Sequence, residues 1–218
     1  DRVHEYIDIS GKILQSDISV YHTGKYNNSV RNLRILEKMK SEGMEFSDRN
    51  VFYFARELFH NGRIDEAVVY YNRFLKTKGN QISFYLESCI DLAKCYIMRN
   101  EEENSLKALL KSFEYDIPHA ETCCQLGYYY KSKSDFKKAI FWFELALKLK
   151  KPEITCGIIE HDCWDYTPCE ELCACYYKVG CVKEALYYND LALKNKPCDK
   201  IALYNKKYLQ ELLNNSVN

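Results

Sequence analysis

The stretch that most constrains the fold is Gly127 to Pro152, GYYYKSKSDFKKAIFWFELALKLKKP. Tyr130 follows Gly127 by three residues, and Ala139 stands twelve after the glycine. Phe143, Ala146 and a proline come next. Two helices packed side by side give this order a reason. Their axes approach closely only where the facing residues are small, and aromatics one turn away fill the space above and below. The same grid recurs in Ala55, Leu58, Ala67, Tyr71 and Phe74. It recurs more weakly in Ala93, Tyr96, Ser105, Leu109 and Ser112, and again in Cys173, Tyr176, Ala185, Ala192 and Pro197. The positions equivalent to Gly127 are Ala55, Ala93 and Cys173, and successive spacings are 38, 34 and 46 residues. The turns inside each pair are polar or contain glycine: His60-Asn61-Gly62-Arg63, Arg99-Asn100-Glu101, Ser132-Lys133-Ser134 and Val179-Gly180-Cys181.

This order of small and aromatic residues, with a period near 34, resembles the tetratricopeptide repeat. The resemblance implies a predominantly all-α chain, a solenoid of helical hairpins. About four repeats are expected over 47–198, with an insertion at 151–166 that accounts for the long last spacing. Trp164 and Tyr166 are expected to pin that insertion to the array as an ordered loop. A connecting helix is expected over 25–46, because Val30, Leu33, Ile35, Leu36 and Met39 recur at three- and four-residue steps and Gly43 is suited to end it. A capping helix and tail take 199–218, with Asp199 as N-cap and Ile201, Tyr204, Tyr208 and Leu212 as the face that closes the last repeat.

Residues 1–24 read differently. In DRVHEYIDISGK, Val3, Glu5 and Ile7 alternate with His4, Tyr6 and Asp8, and Ser10-Gly11 reads as a turn. Ile18, Val20 and His22 share one face of the next stretch, so the expectation is a short N-terminal β-hairpin.

Lys and Arg together number 31, as do Asp and Glu, so the net charge is zero. That excludes a nucleic-acid or membrane-surface role driven by bulk charge. No apolar run reaches the roughly 18 residues of a membrane span. The 11 cysteines are an odd number in a chain long enough to build its own core, and no signal-type segment opens the sequence. They are expected as reduced thiols in a cytoplasmic protein, most of them packed as small apolar residues.

Three places are candidates for function. The grid predicts which first-helix residues point into a binding groove: Arg49, Phe52, Arg56 and Phe59; then Glu87 and Lys94; then Glu121, Tyr128 and Lys131; then Glu170, Tyr177 and Lys178. Aromatics with mixed charges suit a protein or peptide segment. The stretch from Ile154 to Tyr177, which runs from the insertion into the next repeat helix, holds five cysteines and His161, but paired C-x-x-C ligands are absent and helix packing accounts for Cys169 and Cys173. On the hairpin, His4, Glu5 and His22 are groups able to hold a divalent metal or move a proton.

Several motifs together resemble the end of a family 2 glycosyltransferase fused to tetratricopeptide repeats, as in bacterial and phage-derived enzymes. They are RVHEYID (Arg2 to Asp8), ISVYHTGK (Ile18 to Lys25), RNLRILE (Arg31 to Glu37), FYFAREL (Phe52 to Leu58), AIFWFELAL (Ala139 to Leu147), DCWDYTP (Asp162 to Pro168) and YNKKY (Tyr204 to Tyr208). The resemblance implies that residues 1–24 are the closing strands of a truncated catalytic domain of the GT-A type. His4, Glu5 and His22 would then line a donor or metal site. A nucleotide sugar and Mn or Mg are implied for the parent enzyme, whereas this chain lacks a D-x-D motif, is expected to be inactive alone and needs no cofactor. The repeats would hold a protein or peptide acceptor, or mediate oligomerisation, and the strands would support a homodimer. The alternative is a stand-alone repeat adaptor that binds a partner peptide and has no enzymatic role.

Overall fold

A computed structural model describes residues 29–79, 81–151 and 160–215. The expected hairpin over 1–24 lies outside them, as do His4, Glu5 and His22 and part of the insertion. All regular structure among the described residues is helical. The chain divides into two compact units, Asp1–Lys78 and Gly79–Asn218.

The first unit contains α1 (Ser29–Ser41), α2 (Asp48–His60) and α3 (Ile64–Phe74). Leu33, Leu36 and Met39 of α1 are buried, and Gly43 follows the helix at φ +72°. Ser47 caps α2, its hydroxyl accepting from the Asn50 N–H at 3.2 Å, which satisfies one of the donors a helix start leaves open. Ala55, Leu58, Ala67 and Tyr71 are fully buried where α2 meets α3. The Arg63 guanidinium ties the turn together: it donates to Glu66 at 2.7 Å and also to Glu37 of α1.

The second unit contains α4 (Ile82–Met98), α5 (Glu102–Lys111), α6 (Ala120–Ser132), α7 (Phe136–Lys148), α8 (Tyr166–Lys178), α9 (Val182–Asn195) and α10 (Lys200–Asn215). A 3-10 turn, His161–Trp164, precedes α8. The helices pair as α4/α5, α6/α7 and α8/α9, and α6 also touches the first helices on either side of it, α4 and α8.

Every pair turns in the same way. The left-handed residues of the four turns are Gly62, Asn100, Ser134 and Gly180, at φ +75°, +59°, +58° and +80°. Each stands seven residues after the small residue of its repeat. The next N–H reaches back to a carbonyl five residues earlier: Arg63 to Leu58, Glu101 to Tyr96, Asp135 to Tyr130 and Cys181 to Tyr176, at 2.8–3.0 Å. This is the Schellman closure, which reuses the open carbonyls of the first helix and starts the second within three residues.

The capping helix departs from the expected face. Asp199 does cap it, accepting from the Ala202 N–H at 2.8 Å. The buried residues, however, are Ala202 and Leu209, while Ile201 and Tyr204 are 61% and 70% exposed. The reason is a close crossing. Asn189 of α9 is buried and donates through Nδ2 to the Ala202 carbonyl at 2.8 Å. Ala202 is buried at this crossing, and Ile201 and Tyr204 on its flanks turn outward.

Candidate functional site

The predicted groove residues fall into separate settings. In the first unit Arg49 lies over the Tyr53 ring at 5.3 Å, and Arg56 and Phe59 are half-buried on the same helix. Phe52 is not a groove residue. It is fully buried, with its ring 5.4 Å from that of Phe74. Three residues before Ala55, it lies on the stripe that meets α3, so it belongs to the core.

In the second unit Glu87 is half-buried on α4. Lys94, also on α4, sits between two carboxylates, 3.6 Å from Asp91 and 3.7 Å from Glu160. Glu121 at the start of α6 accepts from Trp164 Nε1 at 3.1 Å, while its Oε2 is buried with no hydrogen-bond partner among the described residues. Trp164 thus fastens the segment ahead of α8 to α6, with the His119 ring edge-on to it at 6.3 Å. Tyr128 packs edge-on to Phe143 at 5.5 Å, and burial raises its phenol pKa above the ordinary value. Lys131 pairs with Glu171 of α8. Burial, then the neighbouring Glu171, raises the carboxyl pKa of Glu170.

Two cavities open in this unit. One, of about 540 Å³, lies among α4, α5 and α6 and is lined by Lys94, Ile97, Met98, Leu109, Tyr128 and Tyr129. The other, of about 440 Å³, lies between α8 and α10 and is lined by Ala174, Tyr177, Lys178, Tyr204, Asn205 and Tyr208. The Tyr177 and Tyr208 hydroxyls stand 3.1 Å apart, and the Tyr204 ring stacks on that of Tyr208 at 6.5 Å. Tyr177 and Lys178 are therefore brought together, but with Asn205 and with Tyr204 and Tyr208, two α10 residues expected in the cap's apolar face. The repeat at Tyr204 and Tyr208, one turn apart beside a polar Asn205, was the available signal.

Cys169 and Cys173 are buried on successive turns of α8. Among the described residues no three His, Cys, Asp or Glu side chains converge to hold a metal ion. These residues therefore do not fit a metal centre. Among them, too, no helix is long and apolar enough to cross a membrane.

The profile of the tetratricopeptide repeat family matches residues 120–152, which comprise α6 and α7. The chain carries a tetratricopeptide repeat region. No curated protein sequence matches it. Solved tetratricopeptide structures share its fold. MamA is 18% identical, with a TM-score of 0.60 over 78% of this chain and 90% of its own. The C-terminal part of a repeat protein from Cytophaga hutchinsonii is 16% identical, with a TM-score of 0.65 over 84% and 66%. YrrB, described as a repeat protein with an unusual peptide-binding site, is 15% identical, with a TM-score of 0.58 over 84% and 83%. At these identities the likeness is one of fold.

Proposed function

We propose that this repeat region mediates protein–protein interaction by taking an extended segment of a partner on the first-helix face, in the cavity between α8 and α10. The observation that carries this reading is the cavity's lining. Tyr177, Tyr204 and Tyr208 are exposed aromatic surfaces around a polar Asn205, and Lys178 has no ion-pair partner among the described residues. Rigid tyrosines offer large contact area at little entropic cost, and a free cation selects an acidic group beside an apolar or aromatic side chain. Peptides selected from a random display library against this chain test it. Their affinity should fall at least about tenfold, 1.4 kcal/mol, in Tyr177→Ala/Tyr208→Ala. Equal binding to the double variant overturns the reading.

The motifs RVHEYID, ISVYHTGK and RNLRILE favour a finer version, in which the bound segment is the acceptor of a family 2 glycosyltransferase. His4, Glu5 and His22 would then serve the donor or metal site of that parent, with Mn or Mg and a nucleotide sugar, and the terminal strands would support a homodimer. Coding sequence upstream of Asp1 tests it: a D-x-D within an α/β segment supports the enzyme, and a start codon just before Asp1 leaves the adaptor. The repeat reading stands under either outcome.

A further inference from the structure

The twelve or so residues that lengthen the last repeat spacing do not serve the repeat itself. The α8/α9 pair keeps the seven-residue register from Cys173 to Gly180 that every other pair keeps. Of the extra chain, residues 160–164 are described. Its described end, Glu160–Trp164, packs against α6 and reaches α4.

Three contacts hold it on the face where the repeat grid places binding residues. Glu160 reaches Lys94 of α4 at 3.7 Å. The Cys163 carbonyl accepts from the Cys124 thiol of α6 at 3.6 Å, and the Cys163 side chain is buried in the same core cluster. Trp164 donates to Glu121 at 3.1 Å. Outside the face, Asp162 pairs with Lys196, which also lies over the Tyr166 ring at 3.8 Å. The two ion pairs are largely exposed and individually worth little, so Trp164 and Cys163 are the anchors. Glu121 is the telling residue. Its carboxylate takes one donor from Trp164, and its other oxygen is buried with no hydrogen-bond partner among the described residues. A buried oxygen left without a donor carries a desolvation cost, and a ligand bringing a second donor would relieve it.

We propose that Glu160–Trp164 is a built-in occupant of the α4–α6 face, an internal pseudo-ligand that a partner segment of the same chemistry displaces: acidic residues followed by tryptophan, with one further N–H or O–H donor for Glu121. This rests on the reading of the first-helix face as a peptide surface but uses a different stretch of it. Tethering sets the strength of the occlusion, because a short linker holds the segment at an effective concentration on the order of millimolar.

The test uses the full chain and a fluorescein-labelled synthetic peptide of residues 160–166, EHDCWDY, under reducing conditions. Trp164→Ala removes the tryptophan anchor and the donor to Glu121. It should bind the peptide saturably and at least about tenfold more tightly than the unaltered chain, and adding Glu121→Ala should abolish the gain. A folded Trp164→Ala chain that binds the peptide no better than the unaltered one overturns the proposal. A second measurement does not depend on that variant's folding. The chain has 2 tryptophans, so Trp142→Phe leaves Trp164 as sole reporter. On that background Lys94→Glu with Lys196→Glu repels Glu160 and Asp162 at exposed positions. Acrylamide quenching of Trp164 should rise about twofold. Unchanged quenching makes the segment a fixed wall and also overturns the proposal. Neither readout involves Tyr177 or Tyr208, so failure of the α8–α10 reading remains distinguishable.

Discussion

Gly127 lies under the Phe143 ring so closely that a Cβ on it would fall 2.5 Å from Cζ and 2.6 Å from Cε1. Both residues are buried, Phe143 completely, where α6 crosses α7. A glycine is needed at this point for its missing side chain, since its backbone is helical.

Gly127→Ala should therefore destabilise the protein despite alanine's better helix propensity. Overpacking costs about 1–3 kcal/mol and the propensity gain returns about 1 kcal/mol. The expected net loss is up to about 2 kcal/mol in urea denaturation, and Phe143→Leu in the same chain should recover part of it. A Gly127→Ala chain at least as stable as the parent would show that the ring gives way freely.

The left-handed turn residues give paired predictions of opposite sign. A Cβ on Gly180 would meet nothing within 4 Å, so Gly180→Ala pays only the backbone cost, about 1 kcal/mol. Ser134 already pays that cost at φ +58°, and Ser134→Gly should stabilise by about 0.5–1 kcal/mol after the glycine's entropy is subtracted. Thermal denaturation of the two variants should bracket the parent.

The described cysteines are all free thiols, and their reactivity should follow burial. Burial pushes Cys89, Cys95 and Cys123 up to about 12, and Cys169, Cys173 and Cys175 up to about 11. Site-resolved alkylation at neutral pH should label exposed Cys198 first and half-buried Cys181 next. The buried ones should label only with unfolding. Labelling of Cys123 or Cys175 as fast as Cys198 would contradict the packed core.

Stability should fall at alkaline pH. Glu144 Oε1 accepts from both Tyr176 and Tyr188, at 2.7 and 3.0 Å, and the two rings stack. Burial, then that hydrogen bond, raises both phenols above their ordinary 10.0. Burial first, then Glu170, pushes Tyr166 up to about 12. A raised acid pKa favours the neutral form in the folded state. The stabilisation is thus complete below the unfolded values, 9.0 for thiols and 10.0 for phenols, and is lost as pH rises through the folded ones. Denaturation midpoints should hold to about pH 9 and decline steadily to pH 12, with phenolate absorbance at 295 nm appearing late. A flat profile across this window would refute the assignment.

Much of the architecture was legible because the constraint is local. A small residue, a large apolar or aromatic one three later and a turn seven later are all set within one hairpin, so Ala55, Ala93, Gly127 and Cys173 mark the crossings correctly. The same locality explains the errors. Phe52 and Ile201 sit on helices whose apolar stripes are wide, and nothing within one helix says which edge of the stripe meets a neighbour. The α8–α10 cavity was half legible for that reason: Tyr177 and Lys178 belong to the repeat grid, whereas Tyr204 and Tyr208 joined it only once Ala202 had fixed the rotation of α10.

By itself, then, the sequence determined the helices, their pairing and the four turns, because steric size and backbone conformation act between near neighbours. Tertiary structure alone decided which faces remain open. Asn189 against Ala202 turned the tyrosines of α10 outward, and Glu121 and Lys94, far from Glu160–Trp164 in the chain, hold that segment over α6. Those outcomes depend on contacts between residues tens of positions apart, and no spacing rule within a repeat specifies them.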